Sequence, residues 1–201
     1  VAQTLGRLIS FCALSVTAPA VGVLLITAGL TLPAALWPLT QFLRRRWERK
    51  SIADLNPLWQ DFAAALPEIV LDDDAVIENE TDFLLHRRIV EINDGILALR
   101  PYRSLAVQQA ASREVERRNL AGTASGDAAV EAAVLAAALR ALRTGAEPEC
   151  ALAAPTPGST ARAGDLRTET LWLRSVARAY AASDIVRTAS HEAPMLGTLQ
   201  G

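Results

Sequence analysis

From Leu8 to Leu43 the chain reads LISFCALSVTAPAVGVLLITAGLTLPAALWPLTQFL, without one charged residue. A soluble helix keeps a polar face, whereas this run is apolar all round. About 20 such residues cross a bilayer. The pattern therefore predicts one transmembrane helix, roughly residues 10–32, with Pro19, Pro33 and Pro38 kinking or dividing the run. An interfacial piece is expected around Trp37, and Trp37 and Trp47 suit the headgroup zone. A cleaved signal peptide fits poorly. The run is too long, only Arg7 precedes it, and a dense basic cluster follows.

Beyond that cluster the period changes. Asp54 to Leu66, DLNPLWQDFAAAL, reads as a helix that Asp54 caps, with Leu58, Trp59, Phe62 and Leu66 on its apolar face. Glu68 to Asp82 holds seven acids and no base and is expected to be a surface loop. In the next helix Leu85, Ile89, Ile92, Ile96 and Leu99 are spaced four, three, four, three, one buried seam. Gly95 in mid-helix points to a neighbouring helix passing close, and Pro101 ends the element.

A third helix is expected from Arg103 to Asn119, ending in the solvated stretch REVERR. A fourth, from Asp127 to Arg143, has Leu135, Leu139 and Leu142 on a face otherwise lined by Ala. Residues 144–164 read as a flexible insertion. A fifth helix runs from Asp165 to about Ser183, and residues 184–201 read as a loose tail. The predicted fold is all-α: an N-terminal transmembrane helix in residues 1–43, a basic linker in 44–53, and a helical bundle in 54–183.

Charge adds orientation. Arg44, Arg45, Arg46, Arg49 and Lys50 surround a single acid, Glu48, giving this stretch +4 within a chain of net charge −2. Arg7 is the only charge ahead of it, so residues 51–201 sum to −7. Basic residues flanking a span stay on the cytoplasmic side. The five bases are expected to touch anionic lipid headgroups, at about 1 kcal/mol each, with residues 44–201 in the cytosol of a membrane-bound protein. A basic knot beside an acidic domain is not the broad cationic face that nucleic acid requires.

Candidate chemistry is sparse. DDDAVIENE, residues 72–80, fails the aspartate-rich pattern of prenyl-transferring enzymes, because Val76 and Ile77 stand where the fifth-position acid belongs. It fails the Ca²⁺-loop pattern as well. His86 and His191 are far apart, and Cys12 and Cys150 make no C-x-x-C pair. No Gly-rich phosphate loop occurs. No cofactor, metal or enzymatic activity is expected. The densest polar group on a predicted helix is Arg87, Arg88, Glu91, Asn93 and Asp94. Arg87, Arg88, Glu91 and Asp94, with Trp59 and Trp172 as aromatic anchors, are the expected contact surface for a cytosolic protein partner, since Trp and Arg often dominate interfaces.

Three blocks also carry a resemblance. They are PLW (Pro57–Trp59), RRxxEIxDGxLALRPY (Arg87–Tyr102) and WLxxVARAY (Trp172–Tyr180), in that order. Over about residues 12–182 the chain resembles the cytosolic C-terminal domain, of unknown function, of a family of actinobacterial multi-pass membrane proteins, together with the last transmembrane helix. Some members carry a transporter label. The resemblance implies further spans ahead of the domain, so this chain, which opens on Val, reads as part of a longer protein. It implies no catalytic residues. The expected function is a membrane-tethered regulatory or interaction module, and the alternative is the cytosolic portion of a transporter. Residues 8–43 contain no Asp, Glu, Lys, Arg or His to mark a substrate path.

Overall fold

The computed structural model describes residues 2–71, 81–148, 153 and 165–186, and in the first helix the side chains of residues 2–20 and 33–35 fall outside the description. Every regular element among these residues is helical. They are α1 (Ala2–Ala65), α2 (Thr81–Ala98), α3 (Leu105–Arg117), α4 (Ala124–Arg143) and α5 (Leu166–Ala182). Three-residue 3₁₀ turns stand at Pro67–Ile69 and Arg100–Tyr102. By internal packing the chain divides into two units, Val1–Arg46 and Trp47–Gly201.

In the first unit α1 runs through Pro19, Pro33 and Pro38, so of the kink or division expected at the prolines a division does not occur. Each proline removes one backbone donor and leaves the remaining ladder in place. No side chain described between Val21 and Leu43 is buried. Thr27 and Thr31 turn their hydroxyls back onto the carbonyls of Val23 and Thr27, each at 2.8 Å, which satisfies them within an apolar helix. The helix is long and apolar enough to cross a membrane.

The second unit is a helical bundle around one core. It begins earlier than the sequence suggested. Glu48, Ser51, Leu55, Leu58 and Phe62 are buried at steps of three and four, with half-buried Trp47 packed on the same core. Residues 47–53 are therefore helix with a packed face rather than linker. Asp54 does not cap a helix start, because α1 passes through it. Trp47 lies under the guanidinium of Arg167, 5.6 Å from its ring centroid, so its face meets protein.

Helix α4 is the central rod in all but its ends: Ala128 to Leu135, Ala138 and Leu139 are buried. Its alanines let α3 and α5 approach closely, and both pack against it. The start of α4 lies three residues ahead of the expected Asp127, since Thr123 caps it by accepting from the Gly126 N–H at 3.0 Å. Asp165 caps α5, accepting from the N–H groups of Arg167 and Thr168. Helices α3 and α4 close with the same device. Asn119 (φ 56°) and Gly145 (φ 67°) adopt the left-handed conformation. Leu120 N then donates to Val115 O, and Ala146 N to Ala141 O.

Two segments expected to be loose are partly packed. Ala153 is buried and donates its N–H to Arg103 O at 2.9 Å. Ile185 and Val186 belong to the core. The acidic run 72–80, the rest of 149–164 and residues 187–201 lie outside the described residues.

Candidate functional site

The seam predicted for α2 points inward: Leu85, Ile89, Ile92 and Leu99 are buried and Ile96 is half-buried. That register turns Glu91 toward α1 and the segment after the Pro67 turn. Glu91 is only 2% exposed. Its carboxylate accepts from Trp59 Nε1 at 2.7 Å, Arg87 Nε at 3.0 Å and the Leu71 backbone N–H at 3.1 Å. Arg87 also donates to the Leu71 carbonyl. Three donors, one of them a guanidinium, offset the cost of burying this carboxyl group. It ties α1, α2 and the segment at Leu71 together.

Arg88 completes the group. Its guanidinium lies 3.4 Å from the Trp59 ring centroid, a cation–π stack. Burial pulls the Arg88 pKa below its usual value, the nearby Arg87 adds to this, and Glu91 opposes it. Among the described residues, the buried Arg88 Nη1 has no hydrogen-bond partner. Such an N–H lacks an acceptor that a carbonyl or carboxylate would provide.

Of the residues singled out in the sequence, Trp59, Arg87, Arg88 and Glu91 come together. Glu91 is the buried hub of that group. Asp94 is exposed on α2, away from it. Trp172 is 7% exposed and sits within the core, so it presents no anchor at the surface as described. Arg44, Arg45, Arg46, Arg49 and Lys50 are all exposed. His86 is an exposed helix residue with Nδ1 3.0 Å from Asp82 O. Among the described residues no group of three or more His, Cys, Asp and Glu side chains is placed to hold a metal. Cys150 and His191 lie outside them.

Other polar clusters were not anticipated. Arg103 and Glu131, both buried, form a two-pronged pair at 2.6 and 2.9 Å. Glu131 is the lone charge between Asp127 and Arg140 in an Ala-rich helix, which was the available signal. Asp54 on α1 accepts from Arg174 and Arg178 on α5. Asp61 accepts from Tyr180 Oη at 2.6 Å and pairs with Arg143 at 3.1 Å. Glu114, expected to be solvated, is instead buried between Arg117 and Arg118.

A family of unknown function (DUF6545) matches residues 44–183. The chain belongs to this family. The DUF6545 region starts at the first base of the cluster, ends at Ser183, which caps the C-terminus of α5, and contains the whole Trp59–Arg87–Arg88–Glu91 group. The uncharged run precedes it. No curated protein and no solved structure matches the chain.

Proposed function

We propose that this protein is a membrane-tethered helical interaction module. The uncharged part of α1 holds the chain in a bilayer. Arg44, Arg45, Arg46, Arg49 and Lys50 rest against anionic headgroups on the cytoplasmic face. The DUF6545 domain then works in the cytosol, offering the face around Arg88 and Trp59 to a protein partner, without enzymatic chemistry of its own. The observation that carries the tether is the exposed apolar surface of α1: from Val21 to Leu43 no described side chain is buried, and no charge interrupts residues 8–43. So long an apolar surface is costly in water. Support for the partner comes from the half-buried stack of Arg88 on Trp59, a pairing of residue types that hot spots favour.

The test has two arms. The full chain, reconstituted with vesicles containing anionic lipid, should float with them in high salt. Replacing the five bases by Gln should weaken any peripheral binding without releasing the chain. A chain that stays at the bottom of the gradient contradicts the tether. Solubilised membranes should yield a stoichiometric cytosolic partner with the wild type and much less with Arg88→Ala. Equal recovery with both contradicts the assigned face.

A further inference from the structure

Helix α2 carries a second apolar row on its outer side. Phe83, Val90 and Leu97 are 45%, 47% and 58% exposed. They stand seven residues apart, so they align along one edge of the helix, two turns from one to the next. Leu84, also exposed, widens the row at its start. The same strip carries the guanidinium of Arg87, with His86 beside it, in its first half and the carboxylate of Asp94 in its second. Asp94 is exposed and makes no hydrogen bond or ion pair among the described residues. Asp82, the other acid near the strip, sits 3.7 Å from His86.

We propose that this strip is a homodimer interface in which α2 packs antiparallel on α2 of a second copy, about a two-fold axis at Val90. The chain's own sequence sets the register. With Val90 on the axis, Phe83 meets Leu97 of the second copy, and His86 and Arg87 meet its Asp94. Symmetry repeats both pairs, so one row of apolar residues and one charge reversal satisfy both copies. Arg87 and Asp94 share one flank of the row, and parallel pairing would put the two copies of that flank on opposite sides of the seam and lose the reciprocal contact. Arg87 keeps Nε on Glu91 and contributes charge from a partly exposed position. The contact closes on itself and leaves the hydrogen bonds to Glu91 from Arg87, Trp59 and Leu71 in place. It goes beyond the tethered-module reading and holds whether or not α1 spans a bilayer.

Cross-linking of the full chain in detergent micelles tests it, with Cys12 and Cys150 replaced by Ser. Under mild oxidation Val90→Cys should give a disulfide-linked dimer, since only residues at the axis meet their own copies. Phe83→Cys alone should not, whereas Phe83→Cys mixed with Leu97→Cys should. Val90→Asp, at an exposed site, should keep the helical circular dichroism and weaken dimerisation at least tenfold. Self-cross-linking of Phe83→Cys as efficient as that of Val90→Cys would show parallel packing and overturn the proposal. So would a wild-type chain that sediments as a monomer, or unchanged association of Val90→Asp.

Discussion

Gly95 of α2 lies directly against the ring of Phe62 of α1: a β-carbon built on Gly95 would stand 2.4 Å from Phe62 Cδ2. Phe62 is fully buried, so the ring has no room to withdraw. The glycine is there to admit the ring.

Gly95→Ala should therefore destabilise the domain despite a helix-propensity gain of about 1 kcal/mol. Overpacking a full core costs about 1–3 kcal/mol. The net change should appear as a lower unfolding midpoint in urea for the full chain in micelles. Adding Phe62→Leu to Gly95→Ala should restore part of the loss, because the smaller side chain clears the new methyl. If Gly95→Ala alone raises the midpoint, the close approach is wrong.

Glu91 should behave as a buried hub. Glu91→Ala removes the carboxylate that accepts from Arg87, the Trp59 indole and the Leu71 N–H, a loss of about 3–5 kcal/mol. Trp59→Phe keeps the ring under Arg88 and removes one donor, costing about 1–3 kcal/mol. Denaturant titrations should rank the two in that order. A Glu91→Ala chain as stable as wild type would mean the carboxylate is not buried among these donors.

Arg103 and Glu131 should show strong non-additivity. Removing either partner, as in Arg103→Met, strands a buried charge at about 3–5 kcal/mol. Replacing both by Met should cost far less than the sum of the single changes, in a double-mutant cycle measured by the same titration. Additive losses would contradict the paired geometry.

Asp54 gives a pH signature. Burial pushes its carboxyl pKa up, but hydrogen bonds from Arg174 and Arg178 and their charges outweigh that, so its pKa lies below the usual carboxylate value. A carboxylate lowered in the folded state contributes stability that is complete above its unfolded pKa. That stability is lost as pH falls through the lower, folded pKa. Asp54→Asn should therefore be less stable than wild type near neutral pH, and the gap should narrow as the solution is acidified below about pH 4. A gap that stays constant with pH would remove the ionic contribution.

Most of the bundle is legible in the sequence because periodicity is a direct trace of burial. The seam from Leu85 to Leu99 and the close approach at Gly95 were readable in that way. Continuity of α1 was not. Prolines and the polar stretch around Arg44–Lys50 look like breaks, yet a buried edge at Trp47, Glu48 and Ser51 carries the helix into the core. Thr123 also outcompeted Asp127 as the start of α4, since its hydroxyl reaches the Gly126 N–H. The polar group on α2 could be named from its density. Its division into a buried Glu91 and an Arg88 stacked on Trp59 depends on where α1 lies, and local sequence does not contain that. The charged pairs Arg103–Glu131 and Asp54–Arg174 join residues far apart in the chain. Spacing says nothing about such partners.

The central claim, that the uncharged part of α1 lies within lipid, is most directly tested by a nitroxide at position 25. Leu25→Cys, in a chain with Cys12 and Cys150 as Ser, would be spin-labelled and reconstituted into bilayers. Relaxation of the label should be enhanced by dissolved oxygen, which concentrates in hydrocarbon, and be nearly unaffected by a water-soluble nickel chelate. A label relaxed strongly by the nickel chelate and little by oxygen would place Leu25 in water and contradict the tether.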